Sequence, residues 1–323
     1  METTRRVFLG AAGAVASSAL AAPRPARPEN SPLPKQRFYV ACVTPCDKTL
    51  KFDEGVYKEM MPWFKSKGAD GIVVLGTTGE YPSFSVAERK KVAETALKHR
   101  GGLGIIVQVG TTNFPETLDL LAHATANGAD GVLCIPPFYY KKPALEGLVK
   151  YYSMILEASK IPVHLYHIPG TSAVPITNDL LHALEKYPNL AGIKDSNGDV
   201  PEYQSYLKEF PKLNMMTGTG NNLVAALQNG MGAILAENIF PEYAAACFTA
   251  ARQGKDINEA YNKYREMGAA MRQGGIGSYG PMKYALSLRM GTRQTYQRPP
   301  HLDVTEEQKA FIKSKLTELK LTA

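Results

Sequence analysis

A tetrapeptide returns along this chain at a fixed offset. Gly68-Ala69-Asp70-Gly71 ahead of Ile72-Val73-Val74-Leu75 reappears as Gly128-Ala129-Asp130-Gly131 ahead of Val132-Leu133-Cys134-Ile135, 60 residues later. That offset is two units of about thirty residues, the size of one strand plus one covering helix. A glycine that stops a helix and leads at once into a buried strand is the sequence signature of a (β/α) repeat. Apolar runs continuous enough for strands covered on both faces occur at 38–44, 71–76, 104–110, 131–136, 162–168, 190–194, 213–217 and 232–237. Between them, helical patterns fall at 55–66, 86–99, 115–126, 145–158, 177–186 and 200–209. Eight units between residues 38 and 254 have the length of a closed eight-stranded barrel without large insertions, so the expected fold class is α/β, a (β/α)8 TIM barrel. The competing open sheet predicts a G-x-G-x-x-G phosphate turn after an early strand, and neither Thr44-Pro45 nor Gly76-Thr77-Thr78-Gly79 supplies one. Three further helical patterns, near 256–272, 278–289 and 304–319, predict a C-terminal three-helix appendage. The expected division is barrel over 37–254 and helical region over 255–323.

The first residues carry an address. Thr4-Arg5-Arg6-x-Phe8-Leu9 precedes a small-residue apolar stretch ending Ser18-Ala19-Leu20-Ala21-Ala22, the pattern of a twin-arginine export signal. A cut after Ala21 makes residues 1–21 the signal, and the Pro- and Arg-rich residues 22–36 a linker. The expectation is a periplasmic protein with no membrane span in its mature form, since no other apolar run approaches the roughly 20 residues that a crossing needs. A formal charge of +7 is spread along the chain without a basic block, so nucleic acid is not an expected partner and a small anionic substrate is. Cys42, Cys46, Cys134 and Cys247 form no CxxC pair and have no histidine at ligand spacing, so they read as small core residues and not as a metal site.

Chemistry on such a barrel belongs at the C-terminal ends of the strands. There stand Gly76-Thr77-Thr78-Gly79-Glu80 after strand two, Pro136-Pro137-Phe138-Tyr139-Tyr140 after strand four and Leu165-Tyr166-His167-Ile168-Pro169 at strand five. Strand six carries Gly192-Ile193-Lys194-Asp195-Ser196, and strand seven ends in Thr217-Gly218-Thr219-Gly220. A lysine following Leu-Ala-Gly-Ile in a core strand needs a reason, because lysine is rarely buried. It is either half of an ion pair or an amine desolvated to attack a carbonyl; its neighbour Asp195 should point to the opposite face. Tyr166 lies 28 residues earlier, one unit back, which puts a phenol on the neighbouring strand where it could relay protons. Thr77 and Thr78 offer hydroxyls and exposed backbone N–H groups in a glycine-flanked turn, a nest for a carboxylate.

These segments together resemble the dihydrodipicolinate synthase and N-acetylneuraminate lyase superfamily of Schiff-base aldolases. Its G-[ST]-[TN]-G-E turn stands at Gly76–Glu80, its Y-x-x-P segment at Tyr166–Pro169 and its G-[IVM]-K-[DE] strand at Gly192–Asp195, and the resemblance covers essentially the whole chain beyond the signal. It implies that Lys194 forms an imine with pyruvate or another 2-keto acid, that Tyr166 handles the proton at the aldehyde end, and that Thr78 with the neighbouring backbone of Gly79 holds the carboxylate. Thr77 would link Tyr166 to a tyrosine from the adjacent subunit, most simply Tyr139, with Tyr140 as the alternative. The Gly218 carbonyl and the Ile234 side chain would line the same pocket. No metal or organic cofactor is implied, because the covalent imine on Lys194 is the electron sink, and the expected assembly is a homotetramer built as a dimer of dimers.

Two positions depart from the biosynthetic members of that superfamily. An arginine five residues after the tyrosine binds their second substrate's carboxylate, and here Thr171 stands there, a loss on the order of 2 kcal/mol. The asparagine after the tyrosine is His167, which either alters the entrance to the site or, the favoured reading, is a surface-loop histidine. Lys194-Asp195-Ser196-Asn197-Gly198-Asp199 is closer to branches that cleave 4-hydroxy-2-oxoglutarate or 2-keto-3-deoxy sugar acids. The expected activity is therefore a pyruvate-releasing lyase. A 4-hydroxy-tetrahydrodipicolinate synthase or a keto-deoxy sugar acid dehydratase is the nearest alternative, and a non-catalytic exported sugar-acid binding protein is the alternative of another class.

Overall fold

The computed structural model describes residues 36–272 and 277–322, so the expected export signal over 1–21 and nearly all of the expected linker over 22–36 lie outside the described residues. Eight parallel strands close on themselves in sequence order: β1 Phe38–Ala41, β2 Gly71–Val74, β3 Gly104–Gln108, β4 Gly131–Cys134, β5 Val163–His167, β6 Leu190–Asp195, β7 Asn214–Thr217 and β8 Gly232–Leu235. Around them run α1 Glu54–Ser66, α2 Val86–Lys98, α3 Phe114–Ala126, α4 Leu145–Ala158, α5 Pro169–Ser172, α6 Asn178–Leu184, α7 Val200–Glu209, α8 Leu223–Gln228 and α9 Pro241–Arg252. Then come the three appended helices, α10 Asn258–Arg272, α11 Tyr279–Met290 and α12 Glu306–Glu318. The fold is a TIM barrel with C-terminal helices, and no described helix is long and apolar enough to cross a membrane.

The repeated Gly-Ala-Asp-Gly has one job in both places. Gly68 and Gly128 take left-handed φ values of 85° and 77°, ending α1 and α3 where a side chain would be strained. The aspartate two residues on turns back to the preceding strand: Asp70 accepts from the Phe38 N–H at 2.9 Å and Asp130 from the Ile105 N–H at 2.7 Å. Each carboxylate is also paired, Asp70 with Arg252 and Asp130 with Arg100. The repeat thus stitches neighbouring strands together at the floor of the barrel.

Register decides which side chains meet inside. Paired residues of parallel strands face one side, and the chain of pairs Tyr39↔Gly71, Gly71↔Gly104, Ile106↔Gly131, Leu133↔His164, Tyr166↔Lys194, Lys194↔Met216, Met216↔Gly232 and Ile234↔Tyr39 returns to its start. Lys194, Tyr166, His164 and Ile234 therefore share the interior face. Gly192 sits on that face because a Cβ there would fall 2.0 Å from the Asn214 carbonyl oxygen. All four cysteines are buried, and burial pushes the Cys134 thiol up to about 12 and the Cys247 thiol to about 11. Helices α8 and α9 have no counterpart among the six barrel helices read from the sequence. α8 is only six residues, and the Ala-rich Ala244-Ala245-Ala246 stretch of α9 gives little contrast between an apolar and a polar face.

Candidate active site

Lys194 enters the barrel from β6 and is 4% exposed; Tyr166, directly opposite on β5, is 2% exposed. The Lys194 Nζ donates to the Tyr166 hydroxyl at 3.2 Å and lies 4.3 Å from the centre of its ring. On the far side of that hydroxyl, Thr77 Oγ1 approaches to 3.3 Å. Burial pushes the Tyr166 phenol up, but the Lys194 charge and hydrogen bonds from Thr77, Lys194 and Ser196 outweigh it, holding the phenol below its ordinary value. A phenol so placed gives up its proton more readily than tyrosine in water and has two neighbours to pass it to. Asp195 turns to the other face, where it accepts from the Asn197 N–H at 2.8 Å, so it is not the partner of Lys194.

The turn after β2 is built to leave N–H groups unused. Gly79 N–H donates to Gly76 O at 3.0 Å and Glu80 N–H to Thr77 O at 2.9 Å, while among the described residues the N–H groups of Thr77 and Thr78 meet no acceptor. Of the residues expected to hold a carboxylate, Gly79 thus shapes the turn while its own N–H is taken; a Cβ there would lie 2.9 Å from Leu75 Cα. The turn is bracketed by two non-glycine residues in the left-handed region, Leu75 at φ 58° and Glu80 at φ 55°. Such residues cost of order 1–3 kcal/mol each and persist where surrounding contacts hold them.

Gly218 abuts the lysine strand: its N–H donates to Asp195 O at 2.5 Å, and a Cβ would fall 2.0 Å from Ser196 Oγ. Ser196 is a member of this site that the sequence reading passed over, although it stands two residues beyond Lys194, on the same face by strand alternation. Beside Gly218 opens a cleft of about 370 Å³ whose walls include Asn221, Glu237, Arg265 and Arg272. Thr171 is exposed, on the short α5 at the rim. Tyr139 and Tyr140 are 73% and 66% exposed and pack edge to face with ring centroids 5.5 Å apart.

His167 corrects the sequence reading: it is a fully buried residue of β5, not a surface-loop histidine. Its Nδ1 accepts from the Ile176 N–H at 3.0 Å and its Nε2 lies 3.1 Å from Glu202 Oε2, elements that the sequence does not place beside it. His167, Asp195 and Glu202 bring three metal-ligating side chains within 4.8 Å of one another. The hydrogen bonds already account for them, because an Nδ1 that accepts a backbone proton leaves the ring hydrogen on Nε2, where it is donated to Glu202.

Residues 34–319 match the dihydrodipicolinate synthetase family. A DapA-like lyase, described as uncharacterized, from Chloroflexus aurantiacus is 34% identical over 253 residues, covering 76% of this chain and 84% of the relative. The 4-hydroxy-tetrahydrodipicolinate synthase of Bradyrhizobium diazoefficiens is 30% identical over 283 residues, covering 85% and 94%. Among solved structures, a dihydrodipicolinate synthase superposes with a TM-score of 0.79 at 28% identity, covering 89% of this chain and 99% of that one. YagE from Escherichia coli K12, solved in complex with pyruvate, superposes with a TM-score of 0.80 at 26% identity, covering 88% and 99%. The chain belongs to the dihydrodipicolinate synthetase family. It is a lyase of the aldolase type that this family comprises.

Proposed function

We propose that this lyase acts through an imine on Lys194 and releases pyruvate from a hydroxylated 2-keto acid of the 4-hydroxy-2-oxoglutarate or 2-keto-3-deoxy sugar acid type. The observation that carries the reading is the contact chain Lys194 Nζ, Tyr166 hydroxyl, Thr77 hydroxyl, beside two unused N–H groups in the Gly76–Glu80 turn. The substrate carboxylate takes the Thr77 and Thr78 N–H groups, which places its ketone over Lys194. The amine adds to the ketone carbon and water leaves, giving the iminium. Tyr166 as phenolate then takes the proton of the C4 hydroxyl; the C3–C4 bond breaks, its electron pair enters the iminium as an enamine, and the C4 fragment departs as an aldehyde. Protonation of the enamine at C3 and hydrolysis of the imine return pyruvate and the free amine. No group outside the chain accepts electrons in this sequence. Pyruvate bound by the structurally similar YagE supports the ligand class.

Thr171 in place of a rim arginine speaks against dihydrodipicolinate synthesis, while the cleft beside Gly218 offers Asn221, Glu237 and Arg272 to a hydroxylated tail. Ile234, on the interior face with Lys194, would pack against the methyl end of the pyruvyl unit. The exposed Tyr139 and Tyr140 are suited to enter a neighbouring subunit's relay in a homotetramer. The twin-arginine pattern supports a periplasmic location and catabolism of an external acid. A panel of 2-keto acids assayed in parallel for pyruvate release and for loss of water tests the reading. Pyruvate release from a 4-hydroxy or 3-deoxy acid is expected. Water loss without pyruvate would make the chain a dehydratase, and condensation of pyruvate with aspartate semialdehyde as its best reaction would make it a synthase.

A further inference from the structure

The Gly76–Glu80 turn is held from behind by the C-terminal helical region. Lys283, in the middle of α11, is fully buried, 203 residues from Glu80. Its Nζ forms an ion pair with Glu80 Oε1 at 2.5 Å and donates to Thr44 O at 2.7 Å and Tyr296 O at 2.8 Å. The other Glu80 oxygen accepts from the Arg298 N–H at 3.0 Å. Thr44 also donates from its hydroxyl to Gly79 O at 2.8 Å. At the near end of α11, the Tyr279 hydroxyl donates to Thr77 O at 3.0 Å, and its ring stacks on His301 with centroids 3.9 Å apart.

Three of these contacts land on Thr77 and Glu80, the residues that a flexible turn would most readily release. Glu80 is in the left-handed region and is gripped through both carboxylate oxygens. Thr77 carries the hydroxyl that meets Tyr166, and the carbonyl that Tyr279 holds is the one that also closes the turn through the Glu80 N–H. The Tyr279 hydroxyl and the Glu80 N–H thus fix the Thr77 carbonyl, and with it the peptide plane that carries the Thr78 N–H. A buried ion pair is a poor way to gain stability, because desolvating both charges offsets most of their attraction; it is a good way to specify one arrangement.

We propose that Tyr279 and Lys283 are positioning residues for carboxylate binding, and that the C-terminal helices complete the substrate turn. The proposal rests on the reading of Gly76–Glu80 as the carboxylate site. Its test uses the full chain and Tyr279→Phe, which keeps the ring against His301 and removes one hydrogen bond. Two ketones are titrated with borohydride trapping: pyruvate, which has the carboxylate, and methyl pyruvate, whose ester does not carry its charge. The half-saturating pyruvate concentration should rise about fivefold, the worth of one hydrogen bond. The trapping rate at saturation and the half-saturation for methyl pyruvate should stay where they were. An unchanged pyruvate half-saturation, or equal weakening toward both ketones, would overturn the proposal, since a loosened fold does not distinguish an acid from its ester.

Hydrogen exchange of the Gly79 and Glu80 amides supplies the second arm, independent of any imine. It should be about fivefold faster in Tyr279→Phe. It should also be faster in the charge-neutral pair Lys283→Met with Glu80→Gln, with the rest of the barrel unaltered. If native protein traps neither ketone, the reading of the site fails, and this arm alone decides the clamp: unchanged exchange at 79–80 overturns it.

Discussion

His164 lies on the interior face of β5, two residues below Tyr166 and wholly buried. Burial lowers its pKa from 6.5 to about 4, offset only in part by the Val132 backbone. The folded barrel therefore holds a neutral imidazole while the unfolded chain takes up a proton below about pH 6.5, so stability is complete above that pH and falls as pH drops toward 4. At 1.36 kcal/mol per pKa unit the full effect is about 3 kcal/mol, of which about 2.5 kcal/mol is lost by about pH 4.5. Carboxylates titrate over the same range, so the informative quantity is the difference between native protein and His164→Gln, which has nothing to protonate. Urea unfolding followed by far-UV circular dichroism should show the native chain losing about 2.5 kcal/mol more than the variant between about pH 7.5 and pH 4.5. Parallel loss in the two proteins would mean that His164 is charged or hydrated in the barrel, and would refute a neutral, buried imidazole beneath Lys194 and Tyr166.

Other perturbations have equally definite outcomes. Tyr166→Phe should leave the fold intact and slow turnover of a cleaved 2-keto acid by about 10²–10⁴-fold, the range for a lost acid–base group; single-turnover quench kinetics read this directly. Gly192→Ala should prevent assembly of soluble barrel, because the added Cβ meets backbone at 2.0 Å, not a side chain that can rotate away; soluble expression at native yield would contradict the register of β6. His167→Asn should lower the unfolding temperature by an amount corresponding to about 1–3 kcal/mol, for the loss of bonds to Ile176 and Glu202 in a buried site. Zinc should not raise the native unfolding temperature if the His167 lone pair is already used, and calorimetry with added zinc checks it.

The barrel was legible because its signals are local. Continuous apolar runs and a Gly-Ala-Asp-Gly that both ends a helix and ties two strands put each strand's start within a residue of its place. Six of the eight strand ends were read too long, since residues such as Val43 and Ile135 are buried in the rim beyond the last paired residue, while β6 was read one residue short and β7 ended in place. Lys194 and Tyr166 were legible for the same local reason: an amine inside an apolar strand and a phenol one unit earlier leave few geometries, and the register pairs them directly. What could not be read depends on residues far apart in sequence. His167 is buried by Ile176 and Glu202, and a histidine at a strand end looks the same whether or not a helix covers it. Lys283 of α11 gives no sign that its partner is Glu80, and Tyr279 gives none that it meets Thr77. Ser196 is the exception, since counting two residues on from Lys194 would have placed it.

The central claim is that Lys194 is the imine-forming amine. Intact-mass spectrometry of the protein after pyruvate and borohydride, beside Lys194→Ala, tests it most directly. One reduced pyruvyl adduct on the native chain, mapped to Lys194 and missing from the variant, is the predicted result. No adduct on folded native protein, or an equal adduct on Lys194→Ala, would contradict it.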